Sequence, residues 1–272
     1  MIRILAIAAL LSLAAIPVSA QISEETWKAC FGPTTGRSLT ACTAVIDEGD
    51  LSKRNLAVAY RNRGLVYRAK GDNQSAMRDY EASIRSDPAY PESYISRGNV
   101  LMDRDQPDLA LKDFERSLAL RPGYTYALHS IGNALQAKGE FARSVSRFDE
   151  VLKIDPGFVA SYVSRCWSLV ALDELEQALA DCNEALRRRP NFTNALNGRA
   201  AAYLKLGQPD RAVADFETSQ RIDPNEPLAL YGRGVTRRRA GDRTGGDTDV
   251  ARALKLEPGV GKRFKHFWRL DL

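Results

Sequence analysis

A proline recurs every 34 residues through most of this 272-residue chain, and this spacing constrains the fold more than any other feature. The prolines in this series are Pro88, Pro122, Pro156, Pro190, Pro224 and Pro258. A fixed period of this length is typical of a solenoid of helical hairpins, in which each unit buries its apolar face only by stacking on its neighbours. We therefore expect function to lie on an extended surface and not in an enclosed pocket.

Counting back from the prolines divides the chain into six units, which are 57–90, 91–124, 125–158, 159–192, 193–226 and 227–260. Each unit contains two apolar runs at helical spacing, separated by a turn such as Gly71-Asp72 in the first unit. A small residue that allows close helix packing stands at the eighth place of each unit: Gly64, Gly98, Gly132, Cys166, Ala200 and Gly234. The sequence predicts an all-α fold of six hairpins.

The residue pattern inside the units resembles the tetratricopeptide repeat family. The match is clearest in the first unit, at Tyr60, Gly64, Tyr67, Gly71, Ala76, Tyr80 and Pro88. The sixth unit departs from the pattern at Arg237, Gly246 and Val250, and it resembles a terminal cap. The resemblance implies a right-handed α-solenoid whose first helices line a concave groove. With its cysteine pairs, the chain is similar in style to exported repeat proteins of alphaproteobacteria.

The first twenty residues have the pattern of a cleaved secretory signal. Arg3 precedes an apolar run from Ile4 to Ile16, and small residues follow in Pro17-Val18-Ser19-Ala20. The apolar run is shorter than the ~20 residues that span a bilayer. We expect a mature chain from about Gln21, without a transmembrane segment, in a bacterial periplasm or outside the cell.

Four cysteines in an exported chain indicate two disulfides. Cys166 and Cys182 fall on the two helices of one unit, whereas Cys30 and Cys42 lie before the units. Three pairings are possible, and the repeat frame favours Cys30 with Cys42 and Cys166 with Cys182. The alternative is buried free thiols. Residues 21–56 are then a helical cap that contains the first pair.

Arginine and aspartate vary together across the units. The seventh place holds Arg63, Arg97, Ile131, Arg165, Arg199 and Arg233, and the twenty-third place holds Asp79, Asp113, Arg147, Asp181, Asp215 and Asp249. Both residues are missing from the same unit, the third. This joint loss predicts an ion pair between the two helices of one hairpin. The alternative, a row of phosphate contacts to nucleic acid, is disfavoured by the matching acids and the signal sequence.

The net charge of +5 arises from 39 cations and 34 anions that are interspersed along the chain, which is typical of a mixed, solvated surface. The exception is a basic C-terminal end that includes the segment 261–272. Its cations are Arg237, Arg238, Arg239, Arg243, Arg252, Lys255, Lys262, Arg263, Lys265 and Arg269. This end supports an alternative function, an envelope-associated structural protein that docks on an anionic surface.

No catalytic pattern stands out in the sequence. The chain has two histidines, His129 and His266, and its Gly245-Gly246-Asp247 segment lacks the lysine and hydroxyl of a phosphate loop. Asp103 and Asp105 fit an exposed turn between helices better than a pair of catalytic acids. We therefore predict no enzymatic activity, no cofactor and no metal.

The resemblance places the second, fifth, sixth, ninth and twelfth places of each unit on the concave groove. Amide side chains there can donate to and accept from a peptide backbone, and Val163, Trp167 and Val170 form an apolar stripe that a partner would bury. The alternative is that Trp167 packs inside against neighbouring helices. The predicted peptide-binding residues are Arg61, Asn62, Asn99, His129, Asn133, Val163, Trp167, Val170, Asn197, Tyr231 and Arg238.

Together these features predict a non-catalytic protein–protein interaction scaffold that holds an extended peptide or a partner helix in its groove. The sequence does not decide the identity of the partner, the oligomeric state, or whether the chain's own C-terminal segment already fills the groove.

Overall fold

A computed structural model describes residues 22–32 and 38–269, in which all regular elements are α-helices. The expected signal sequence at 1–20 lies outside these residues. The helices are α1 (Glu24–Phe31), α2 (Leu39–Asp47), α3 (Lys53–Ala69), α4 (Asn73–Ser86), α5 (Pro91–Asp103), α6 (Pro107–Leu120), α7 (Thr125–Ala137), α8 (Phe141–Ile154), α9 (Val159–Ala171), α10 (Leu175–Arg188), α11 (Thr193–Lys205), α12 (Pro209–Ile222), α13 (Pro227–Arg239), α14 (Arg243–Leu256) and α15 (Val260–Trp268).

Helices α3 to α14 form six successive hairpins, each made of two helices joined by a short turn. The first helices of neighbouring hairpins also contact each other, in the order α3, α5, α7, α9, α11 and α13. We call these six helices the first-helix layer. The expected all-α solenoid of helical hairpins is thereby confirmed. The helix α3 begins at Lys53, four residues before the predicted unit, because the Ser52 side chain caps it by accepting from the Asn55 N–H.

The periodic prolines lie between hairpins, just after each second helix. Residues that precede proline disfavour helical backbone angles. Asp87, before Pro88, accordingly has an extended backbone with φ −142° and ψ 94°, and it ends α4. The next hairpin begins with α5 at Pro91. The period in the sequence thus marks the point where one hairpin stops and the next can start.

In five of the six units, all but the fifth, a contact joins the eighth place to the twenty-fourth place of the same unit. A Cβ atom on Gly98 would lie 2.4 Å from Cε1 of Phe114, and one on Gly132 would lie 2.4 Å from Cε1 of Phe148. In the fourth unit Cys166 and Cys182 occupy these two places, and their sulphur atoms are bonded. The disulfide therefore replaces a glycine–aromatic contact at the centre of the hairpin.

Two short helices precede the hairpins. A disulfide between Cys30 and Cys42 joins α1 to α2. The Asn62 amide of α3 donates to the Cys30 carbonyl at 2.9 Å, which ties this pair of helices to the first hairpin. No helix among the described residues combines the length and the apolar character that a membrane span requires.

Candidate partner-binding surface

The arginine row is engaged inside the hairpins. Both oxygens of Asp113 accept from Arg97, at 2.8 and 2.7 Å, and Asp113 is only 5% exposed. The same bidentate geometry recurs in the other four units that have the two residues: Arg63 with Asp79, Arg165 with Asp181, Arg199 with Asp215, and Arg233 with Asp249. In the third unit Ile131 is buried, and Arg147 pairs instead with the exposed Glu150.

Burial and pairing act in opposite directions on these groups. Burial has the larger effect on the pKa of Asp181 and raises it, whereas the Arg165 guanidinium opposes this shift. The hydrogen bonds to Asp181 raise the pKa of Arg165, so the guanidinium stays charged. Arg165 also donates to Asp149 of the preceding hairpin at 2.6 Å. The arginine row therefore stabilises the hairpins, and its guanidinium groups are not free to bind a ligand.

Several other polar side chains of the first-helix layer bond to a neighbouring hairpin. Arg61 of α3 donates to the Ser96 hydroxyl of α5 at 3.0 Å, and Arg68 pairs with Asp103 at 2.8 Å. Lys205 of α11 donates to the Val170 carbonyl of α9 at 2.8 Å. These bonds join similar places in successive units and hold neighbouring first helices together.

A polar network centred on His129 joins α7 to α9. The Asn133 amide donates to Nε2 of His129 at 3.0 Å, so Nδ1–H donates to the Ser161 hydroxyl at 2.8 Å. The Ser164 hydroxyl in turn donates to the side-chain oxygen Oδ1 of Asn133 at 3.1 Å. Burial lowers the pKa of His129 to about 4, so its imidazole is neutral at pH 7. This network serves the helix packing of the chain itself.

Other predicted amides are buried. Asn62 is 2% exposed and is used by the N-terminal helices, as described above. Asn197 is fully buried, and its amide atoms have no partner among the described residues. The expectation that these two amides line an open groove is wrong, because close packing of the first helices removes them from the surface. Asn99 and Arg61 are half-buried.

The stripe of Val163, Trp167 and Val170 is also covered, and its predicted openness is wrong. These side chains are 5%, 9% and 0% exposed. The Trp167 Nε1–H donates to the Asn194 carbonyl of α11 at 2.9 Å. The ring of Trp167 meets Phe267 and Trp268 of α15 edge-on, at centroid distances of 5.3 and 5.5 Å. Their role in binding a partner remains a prediction that requires α15 to move.

The segment 261–272, expected from its charge to be a basic surface, is in large part the helix α15. It packs against α9 and α13, with fewer contacts to α14. Phe264 contacts Tyr231 of α13 at a centroid distance of 5.3 Å, and the His266 Nε2–H donates to the Gln136 carbonyl at the end of α7 at 3.0 Å. The chain's own C-terminal helix therefore fills part of the groove, which the sequence left undecided.

Several cations of the basic C-terminal end are neutralised within the chain. Arg237 pairs with Asp249 at 3.2 Å, and Arg238 of the predicted peptide-binding set pairs with Asp247 at 2.5 Å. Arg263 pairs with Glu257 at 2.6 Å. These contacts reduce the charge that this end offers to an anionic surface.

An aromatic cluster remains open at the start of α7. Tyr126 is 58% exposed, and its ring contacts Tyr124 and Phe158 edge-on, at centroid distances of 5.8 and 5.4 Å. The Arg121 guanidinium lies 4.4 Å from the centroid of the Tyr124 ring and pairs with Glu92. We call Tyr124, Tyr126 and Phe158 the open aromatic cluster.

The groove positions predicted from the sequence include Tyr126, at the second place of the third unit, but they do not include Tyr124 or Phe158. The last place of the first four units is aromatic, with Tyr90, Tyr124, Phe158 and Phe192. The structure places these residues in the short segments between hairpins.

No group of three side chains able to hold a metal ion occurs in the described part of the chain.

Comparison with known families identifies the repeats. Two family models, both described as tetratricopeptide repeat, match residues 61–191 in overlapping segments and residues 193–226. These matches cover more than half of the chain. The protein therefore belongs to the tetratricopeptide repeat family, whose fold is typically a non-catalytic scaffold for protein–protein interaction.

Solved structures agree with this fold. A tetratricopeptide repeat protein from Parabacteroides merdae is similar with a TM-score of 0.70 and 16% identity, over 90% of this chain and 96% of that one. The type IV pilus biogenesis factor PilW matches with a TM-score of 0.66 and 18% identity, over 77% and 97%. PilF of Pseudomonas aeruginosa matches with a TM-score of 0.63 and 16% identity, over 80% and 99%. At these identities the likeness concerns the fold alone. A search of curated proteins found no match.

Proposed function

We propose that this protein is a non-catalytic scaffold, exported to the periplasm or beyond the cell, that binds an extended peptide or a helix of a partner protein on its first-helix layer. The observation that carries the proposal is the open aromatic cluster. An exposed tyrosine held between two other rings is already ordered, so a partner buries it at little further cost in side-chain entropy.

The surroundings of this cluster suit a polypeptide ligand. Tyr126 lies on the first turn of α7, beyond the part of the layer that α15 covers. The neighbouring α5 carries the half-buried Asn99, and α3 carries the half-buried Arg61. The Asn99 amide can both donate to and accept from a bound main chain, whereas the Arg61 guanidinium already donates to the Ser96 hydroxyl.

Export is supported by the cysteines. The two disulfides use all four cysteines of the chain, and such bridges persist in oxidising compartments. The test is to trap free thiols by alkylation as the cells are lysed, and to sequence the N-terminus of the isolated protein. An unlabelled chain that begins near Gln21 supports export. A fully alkylated chain that retains Met1 would contradict it.

Partner binding is tested by photocrosslinking in intact cells. A photoreactive amino acid replaces Tyr126, and the matched control replaces Leu109, which is 47% exposed on the second helix α6. We expect a discrete crosslinked partner at position 126 and none at position 109. Equal yields at both positions, or none at 126, would contradict a binding role for the open aromatic cluster.

A further inference from the structure

The helix α15 is anchored by three rings on one of its faces. Phe264 and Trp268 are 1% and 0% exposed, and Phe267 is half-buried. Phe264 meets Tyr231 of α13, while Phe267 and Trp268 meet Trp167 of α9. These three rings stand at positions i, i+3 and i+4 of the sequence, and this spacing places them together on one side of a helix.

The position of α15 is not that of a seventh repeat. In a repeat array each unit contacts only its neighbours. The hydrogen bond from His266 to the Gln136 carbonyl joins residues 130 positions apart, across the intervening hairpins. The Arg269 guanidinium lies 5.1 Å from the ring centroid of Phe141, in the same region. The helix thus lies across the first-helix layer as a bound ligand would.

The attachment of α15 to the rest of the chain is slight. Three residues, Glu257, Pro258 and Gly259, join it to α14, and a Cβ atom on Gly259 would meet no atom within 4 Å. A nine-residue helix has little stability of its own. The Trp268 Nε1–H is fully buried without an acceptor among the described residues, a penalty against docking. A partner helix that fills the same surface without burying an unpaired donor could therefore displace α15.

We propose that the surface under α15, formed by α9, α13 and the turn between α7 and α8, is a binding site for an amphipathic helix of a partner protein. That helix carries aromatic residues at i, i+3 and i+4, as α15 does, and it takes the place of α15. The inference rests on the proposed function and names the class of partner. It concerns a surface distinct from the open aromatic cluster, so the two can fail separately.

The test uses the full mature chain and a fluorescently labelled synthetic peptide of residues 258–269. The double variant Phe267→Ala/Trp268→Ala removes two anchors of α15, and Phe267→Ala alone is a milder variant whose partly exposed ring is less critical for folding. Lys262→Ala, on the exposed face of α15, is the matched control. Circular dichroism checks the helix content, and fluorescence anisotropy measures peptide binding.

We expect the peptide to bind the double variant at least about tenfold more tightly than the wild type, because a tethered helix competes at about millimolar effective concentration. Phe267→Ala should lie between them, and Lys262→Ala should match the wild type. A peptide with alanine at its three aromatic positions should not bind. Equal affinity for wild type and both anchor variants, or no binding to either variant, would overturn the proposal. A wild-type dimer in light scattering that the double variant loses would assign the site to a second copy of the chain instead.

Discussion

Removing one charge from the Arg97–Asp113 pair should cost more than removing both. We expect Arg97→Ile to destabilise the protein most, Asp113→Ala less, and the double variant least. The reason is burial, because the Asp113 side chain is 8% exposed and the Arg97 side chain 28%. A stranded carboxylate at this place stays out of water, whereas a stranded guanidinium partly reaches it.

The magnitudes follow from the geometry. Two unit charges about 4 Å apart attract by about 4 kcal/mol at an effective dielectric constant of about 20, and removing both from water costs a similar amount. Stranding one member of a buried pair costs about 3–5 kcal/mol. We therefore expect about 3–5 kcal/mol for Arg97→Ile, and about 2 kcal/mol for Asp113→Ala after a discount for solvent. The double variant should lose about 1 kcal/mol or less, since Ile131 is buried at the same place in the third unit.

The free energy of unfolding is measured by urea titration with circular dichroism at pH 7. The control is Arg147→Ala, whose guanidinium pairs with the exposed Glu150 and whose loss should cost about 0.5 kcal/mol or less.

One result would refute this reasoning. If the cost of the double variant equals the sum of the two single costs, the two side chains contribute independently and do not act as a pair.

The remaining predictions concern other contacts. Gly98→Ala should lower the free energy of unfolding by about 1–3 kcal/mol because its Cβ would overlap a buried phenylalanine ring, while Gly259→Ala, with open space around it, should stay within about 0.5 kcal/mol in the same urea titration. For His129 the folded pKa of about 4 lies below the unfolded value of 6.5, so stability is complete above pH 6.5 and falls by up to about 3 kcal/mol as the pH drops to 4. The variant His129→Gln should flatten this pH profile, and an unchanged profile would contradict the assignment. Cys166→Ala/Cys182→Ala should cost about 3 kcal/mol by opening a loop of 16 residues, and equal urea midpoints for wild type and variant would exclude that contribution.

Much of the fold was readable from the sequence because the repeats form their own comparison set. The joint absence of arginine and aspartate from one unit predicted which side chains meet across a hairpin, and the five pairs are present in the structure. This inference works since the paired residues stand 16 positions apart inside one unit, where the same geometry recurs.

The candidate site was predicted less well. The repeat frame assigns the positions that face the groove. It does not tell whether a side chain at such a position already bonds to a neighbouring helix. Asn133 and His129 are joined to α9 by hydrogen bonds, and Asn62 is held by the N-terminal helices. Histidine at the place of His129 and asparagine at the place of Asn62 each occur in one unit only, so no repeated pattern predicted their bonds.

The sequence by itself determined the helical hairpins, their number and their ion pairs, because these depend on contacts within a unit or between neighbours, which a 34-residue period displays directly. Only the tertiary structure decided where α15 rests. Its sequence shows an apolar face with Phe264 and Trp268, yet an apolar face packs on any matching surface within reach. The helix α15 packs on Trp167, about a hundred residues earlier in the chain. It can do so because the superhelical turn of successive hairpins brings α9 and α13 close enough for one helix to contact both.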